Sequence, residues 1–168
     1  MLRKFTPESF DKIYGTLDEA EQMEVLGLKS VDELAVERKK YADGLSTYNK
    51  KFAYFQLLDR GSKEIMGWCG YHTWYVDHNR AELGYGLFKD ERKRKGYMME
   101  ALAPIIEYGF VKMHLNRIEA FVGDNNVASL RVLQKQGFKP AGVMREHHRA
   151  KEKPEDSLVF SLLKSAME

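Results

Sequence analysis

Apolar and polar positions alternate along Arg80-Ala-Glu-Leu-Gly-Tyr-Gly-Leu-Phe88, which predicts a strand. Ala81, Leu83, Tyr85 and Leu87 share one face, and Glu82, Gly84, Gly86 and Phe88 share the other. The period then changes, with Met99, Leu102, Ile106, Phe110 and Met113 recurring at helical spacing. Pro104 falls inside this helix, removes one hydrogen bond and crowds the carbonyl of Glu100, so a local kink is expected. A second strand is read in Arg117-Ile-Glu-Ala-Phe-Val122, then a turn and cap in Gly-Asp-Asn-Asn126. A helix follows from about Val127 to Gln136, stopped by Gly137 with Phe138 and Pro140 behind it. Upstream, strands are expected at about 51–58 and 64–75, separated by the turn Asp59-Arg60-Gly61-Ser62. The N-terminal third reads as helical and polar. Its signals are the cap Thr6-Pro7, a capping box of Asp18 with Glu21, and another of Ser30 with Glu33 before a helix ending near Gly44.

The strand at 80–88 runs into its helix through Lys89-Asp-Glu-Arg-Lys-Arg-Lys95-Gly96-Tyr97-Met98. A basic loop at a helix N-terminus attracts phosphate, through free backbone N–H groups and the positive end of the macrodipole. Gly96 at the turn lets the backbone approach a ligand closely. No Gly-Lys-Ser/Thr follows the loop and no GxGxxG is present, so neither the ATP-type phosphate loop nor the dinucleotide fingerprint fits.

Composition narrows the classes. The 168 residues suit one domain over 1–168, and 43% hydrophobic content is enough for a sizeable core. No internal repeat, low-complexity stretch or linker interrupts them. A net charge of +2 is too small for nucleic acid to be the main partner, whereas the local cluster at 92–95 is large enough to hold an acidic cofactor. No apolar run of about 18 residues occurs, and the start Met-Leu-Arg-Lys-Phe-Thr-Pro-Glu has no apolar leader region. A cytoplasmic protein without a membrane partner is expected. The single cysteine, Cys69, excludes an internal disulfide and a cysteine-based metal cluster, and its strand-like surroundings predict a buried, inert thiol.

Taken together these segments resemble the GNAT superfamily of acyl-CoA-dependent N-acetyltransferases. The family's pyrophosphate loop (Gln or Arg, two residues, Gly, one residue, Gly or Ala) falls on Lys93-Arg94-Lys95-Gly96-Tyr97-Met98. Glu82-Leu-Gly-Tyr-Gly-Leu-Phe88, Met99-Glu-Ala-Leu102 and Asn126-Val-Ala-Ser129-Leu-Arg-Val-Leu-Gln-Lys-Gln-Gly137-Phe138 resemble the branch that acetylates ribosomal-protein N-termini. The likeness covers roughly 1–163. It implies an α/β fold with a mixed, mostly antiparallel central sheet, splayed between its fourth and fifth strands and flanked by helices. It also implies acetyl-CoA as cosubstrate and direct transfer to a primary amine, with no covalent intermediate and no metal. The acceptor is expected to be a protein N-terminal α-amine, with a polyamine, antibiotic or other small amine as the alternative, and a homodimer is carried as an expectation. A non-catalytic acyl-CoA-binding module is the rival from another class.

Carried over residue by residue, the resemblance places the pyrophosphate on Lys93, Arg94, Lys95, Gly96, Tyr97 and Met98. It places the oxyanion and the pantetheine arm against backbone N–H groups near Leu87 or Phe88, with further contacts from Asn126, Ser129 and Arg131. Three departures stand out: Lys93 replaces Gln or Arg, Met98 replaces a small residue, and Leu133 stands where many relatives carry a tyrosine acid.

The acceptor's proton sets the catalytic requirement. A protein α-amine with a pKa near 8 is about one-tenth neutral at pH 7, against about one part in two thousand for a lysine-like amine near 10.4. An N-terminal acceptor therefore needs only a mild base. Glu82 is the candidate general base, directly or through water, because Gly84 and Gly86 leave room beside it. His72 on the preceding strand is a candidate to share the task, and His147 and His148 are weaker candidates in a late strand or loop. Ser129 is the candidate donor to the leaving sulfur in place of the missing tyrosine. An aromatic lining from Trp68, Tyr71 and Trp74 is expected for the acceptor groove, and an acidic rim from 18–37 would favour a polycation.

Overall fold

The computed structural model describes residues 1–42, 50–150 and 153–167. Strand β1 (Leu2–Phe5) leads into three helices, α1 (Pro7–Thr16), α2 (Glu19–Leu26) and α3 (Val31–Ala42). Strands β2 (Lys50–Leu58), β3 (Ile65–Tyr75) and β4 (Arg80–Leu87) follow. Helix α4 (Tyr97–Val111), strand β5 (Arg117–Gly123) and helix α5 (Val127–Lys135) come next, and β6 (Lys139–Ala150) and β7 (Lys153–Leu163) end the fold.

One seven-stranded sheet has the order β1-β2-β3-β4-β5-β7-β6, antiparallel except where β4 and β5 run parallel. That parallel seam is short. Only Arg80, Ala81 and Glu82 pair, with Arg117, Ile118 and Glu119, while β4 stays paired to β3 as far as Leu87 and β5 to β7 as far as Gly123. The two half-sheets therefore diverge past Glu82, which is the expected splay between the fourth and fifth strands.

Alternation in β4 holds as predicted, with Ala81 and Leu83 buried. They pack with Leu102, Ile105 and Ile106 of α4 in the main core. Fully buried Tyr71 donates its hydroxyl to the Ile105 carbonyl at 2.9 Å. Gly109 makes room for that phenol, since a Cβ there would sit 2.2 Å from the oxygen. The buried stripe of α4 starts at Met98, one residue before the Met99 expected from spacing. The helix is unbroken across Pro104, which lies on its exposed side, where water can serve the Glu100 carbonyl that loses its donor. Cys69 is buried as expected, and burial pushes its thiol up to about 12.

The first three helices cover the opposite face of the sheet. Phe55 meets Tyr108 of α4 edge-on at 5.3 Å, whereas its neighbour Gln56 points the other way and donates to the Val25 carbonyl at 2.8 Å. Thr6 caps α1 and Asp18 caps α2, the latter in the predicted box with Glu21. Ser30 accepts from the Glu33 N–H at 3.2 Å, but the Glu33 carboxylate reaches Lys29 N–H rather than that of Ser30. The predicted end of α3 near Gly44 lies outside the described residues. Strand β1 was not anticipated, because its four residues carry a single buried side chain, Phe5. No helix among the described residues is long and apolar enough to cross a membrane.

Candidate active site

The register around Glu82 is set by a bulge in the neighbouring strand. Tyr71 pairs with Leu83 and Thr73 with Glu82, so the extra residue is His72 on β3 and β4 keeps its alternation. Alternation from core-facing Tyr71 puts His72 on the face of Glu82, and the extra residue returns Trp74, which pairs with Ala81, to the core side. The His72 Nε2 lies 3.2 Å from Glu82 Oε1, with the two side chains 29% and 21% exposed, sheltered but within reach of solvent. His72 Nδ1 is 3.2 Å from Thr73 Oγ1.

Gly84 and Gly86 give this pair its space. A Cβ on Gly84 would lie 2.6 Å from His72 Cδ2 and 2.8 Å from the Trp68 ring, and one on Gly86 would touch Trp68 Nε1 at 3.4 Å. Tyr54, in register with Gly70, meets Trp68 edge-on at 5.5 Å. Burial first, then the nearby charges of Glu82 and Glu37, push the Tyr54 phenol up to about 12, so it stays a neutral donor.

The aromatic lining differs from the expected one. Of Trp68, Tyr71 and Trp74, only Trp68 is on this face. Tyr71 is in the core beneath α4, and Trp74 pairs with Ala81 and packs against the same core. Tyr54 takes their place.

Five acidic residues of 18–37 have partners within the N-terminal helical region. Asp18, Glu21 and Glu33 accept backbone N–H groups, Glu19 pairs with Arg38 at 2.7 Å, and Glu37 pairs with Lys40 at 2.5 Å.

At the far end of β4, Phe88 N–H donates to the Met66 carbonyl at 3.0 Å. The alternation of an antiparallel pair then turns the Leu87 N–H away from β3, toward the opening. The basic loop beyond it is partly self-neutralised. Lys89 and Arg92 each hold Glu64 at 2.7 Å, Arg92 also pairs with Asp59 at 3.5 Å, and Lys93 pairs with Asp90 at 2.5 Å. The Lys89 hydrogen bond, ahead of other effects, holds the Glu64 carboxyl below its ordinary value. Arg94 and Lys95 are exposed and make no ion pair among the described residues.

Gly96 caps α4 with φ 83° and no side-chain bond, and a Cβ there would meet nothing within 4 Å. The glycine is thus required by the left-handed backbone rather than by crowding. It leaves the N–H groups of the first turn without a side-chain acceptor. Met98 is only 8% exposed and belongs to the core, so its bulk is directed away from the loop and does not obstruct the helix start.

At α5, Asn126 Oδ1 accepts from Ser129 N–H at 3.1 Å, an ordinary cap that also fixes the position of Ser129. Arg131 is exposed and Leu133 fully buried. His147 and His148 are not beside Glu82. A wide bulge between Met144 and His148 brings both imidazoles onto buried Ser157, with Nδ1 to Oγ distances of 2.9 and 3.3 Å.

Sequence reasoning missed Glu119. It pairs with Glu82 across the seam and is held by Arg80 at 2.9 Å and Arg117 at 2.7 Å, with Arg80 in turn 3.9 Å over the Tyr75 ring. Arg117 and Glu119 do share a predicted strand face, but Arg80 joins them only through the parallel register.

A sheet opened between two parallel strands, with a glycine-capped helix aimed at the opening, is acetyltransferase architecture. Residues 1–139 match the family model described as an acetyltransferase (GNAT) domain. The chain belongs to that family and is an acetyl-CoA-dependent N-acetyltransferase. Among curated proteins it is 30% identical to the uncharacterized N-acetyltransferase YoaA of Bacillus subtilis over 165 residues, 98% of this chain and 93% of the relative. It is also 30% identical over 112 residues to the putative ribosomal N-acetyltransferase YdaF of the same organism, 67% of this chain and 60% of the relative. Two solved structures share the fold. The ribosomal-protein-S5-alanine acetyltransferase of Vibrio fischeri has a TM-score of 0.68 at 20% identity, covering 99% of this chain and 94% of that one. The spermidine/spermine N-acetyltransferase SpeG of Vibrio cholerae, in mutant form, has 0.67 at 16%, covering 98% and 96%.

Proposed function

We propose that the amine acetylated by this enzyme is the terminal α-amine of a protein, of the ribosomal-protein type, and that the reaction takes place in the cytoplasm. The observation that carries this reading is the Glu82–His72 pair in its aromatic recess, with Glu19 and Glu37 of the acidic segment paired to Arg38 and Lys40. Such a groove suits an acceptor with one ammonium and a pKa near 8, for which a carboxylate base is strong enough. The YdaF and S5-alanine acetyltransferase likenesses support the same class.

In this reading Glu82 removes the proton from the ammonium, directly or through water, with His72 orienting it. The neutral amine attacks the thioester carbonyl, and the Leu87 N–H facing the opening receives the oxyanion. The first-turn N–H groups of α4 with Lys93, Arg94, Lys95, Gly96, Tyr97 and Met98 hold the pyrophosphate. Arg94 and Lys95 supply its unpaired positive charge. Phe88, Asn126, Ser129 and Arg131 complete the cosubstrate contacts, and Ser129 offers a hydroxyl to the departing sulfur.

A second reading, a polyamine acceptor, is favoured by one observation: the charges of both Glu37 and Glu82 act on Tyr54, so two carboxylates are near one wall of the recess. The SpeG likeness is of the same kind.

Two measurements test the proposal. Acetyl-CoA at about 100 times its dissociation constant adds about 2.7 kcal/mol. For a chain of this length that raises the melting temperature by about 5–10 °C, whereas ATP and NAD should leave it unchanged. Thiol release is then compared between short peptides with free N-termini and spermidine. Faster release with peptides is the expected result. Spermidine turnover with inert peptides would replace the proposed acceptor by the polyamine.

A further inference from the structure

Leu133 is fully buried at the α5 position where many relatives carry the tyrosine that meets the leaving thiolate. A phenol nonetheless reaches α5, from the other side of the opening. We propose that Tyr85 of β4 is a catalytic residue of this enzyme, donating a hydrogen bond to the coenzyme A sulfur as the thioester breaks. The proposal rests on the amine-acetylation reading.

Three observations converge on Tyr85. It lies past Glu82, in the part of β4 that β5 no longer pairs, so it stands on the free edge of the splay. Its side chain shares the face of Ala81 and Leu83, where it packs on the core, and its hydroxyl extends to the Ser129 carbonyl in the first turn of α5. At 3.4 Å that contact is longer than an ordinary O–H···O hydrogen bond, so the proton is free to turn to a better acceptor. Leu87, whose N–H faces the opening, is two residues further along the same strand, about 6.6 Å away. An acyl group held at Leu87 therefore has its sulfur within the range of a phenol anchored at Tyr85.

The chemistry balances without another reactant. The amine nitrogen forms a bond to the acetyl carbon, the C–S bond breaks and its electron pair stays on sulfur. The amine's surplus proton goes to Glu82 or water. A coenzyme A thiol resembles cysteine, with a pKa near 8.5, below the value near 10 of a phenol, so Tyr85 stabilises the thiolate by a hydrogen bond while solvent protonates it. Burial pushes the Tyr85 phenol above its ordinary value, which keeps the donor proton in place at neutral pH.

Tyr85→Phe tests this, because it keeps the ring in the core and removes only the oxygen. In the purified full chain, with the best amine acceptor from the peptide and spermidine comparison, kcat should fall about 10- to 100-fold. The KM for acetyl-CoA and the melting temperature should stay close to wild type. Ser129→Ala is run beside it and should cost less. An unchanged kcat in Y85F would overturn the proposal. So would a loss that tracks a fall in melting temperature or a matching rise in KM. Failure of the wild-type protein to release thiol with any amine would instead overturn the acetylation reading, and the proposal with it.

Discussion

Glu82→Gln is expected to lower kcat/KM for a peptide acceptor by about 100- to 1,000-fold at pH 7, within the usual range for loss of a general base. The amide has nearly the shape of the carboxylate and can still hydrogen-bond with His72, so the recess formed with Gly84 and Trp68 should keep its form. Acetyl-CoA affinity should stay at the wild-type value, since the carboxylate is on the face of the sheet turned away from α4, whose start carries the basic loop. The loss should shrink as pH rises past about 8, where the α-amine sheds its own proton. A pH series of initial rates decides the matter. A variant as fast as wild type at pH 7 would remove Glu82 from the reaction, and a deficit that persists undiminished at pH 9.5 would assign it a binding role instead.

Gly67→Ala should have the largest effect on stability. A Cβ at Gly67 would sit 2.1 Å from the carbonyl oxygen of Gly86 and 3.0 Å from the Leu87 Cα, both of them backbone atoms that no rotamer change can move. Strands β3 and β4 would have to separate, which overpacking data place at about 3 kcal/mol or a fall of about 6–12 °C in melting temperature. The separation would occur beside Leu87, so acetyl-CoA affinity should drop along with stability. Thermal melts with and without acetyl-CoA measure both. A G67A protein that melts with wild type would show that these strands are not in such close contact.

Much of the fold could be read from the sequence because periodicity is local. The alternation of 80–88 placed Glu82 and Ala81 on opposite faces, and the Asp18–Glu21 box placed a helix start. What escaped reading depends on pairing between distant segments. The turn of Trp74 into the core follows from one extra residue opposite β4, and nothing in the order of 70–75 marks it. The Arg80–Glu119–Arg117 cluster exists only because β4 and β5 run parallel in one register. Trp68, Tyr71 and Trp74 look alike as aromatic strand residues, yet the register sends Trp68 to the groove and the other two to the core. Tyr85 was read as a face-forming residue, and only the approach of α5 shows what its hydroxyl meets.

The three-residue seam between β4 and β5 also makes the cosubstrate an honorary strand. Past Leu83 the free edge of β4 offers main-chain donors that no described residue claims, and an extended amide-bearing arm such as pantetheine fits them as a neighbouring strand would. In hydrogen-exchange terms, the amides of Tyr85 and Leu87 should exchange quickly in the free protein and become protected when acetyl-CoA binds, while those turned toward β3 stay slow throughout. Loading the enzyme thus completes its sheet, and the two half-sheets become one stiffer body only for as long as the arm is in place.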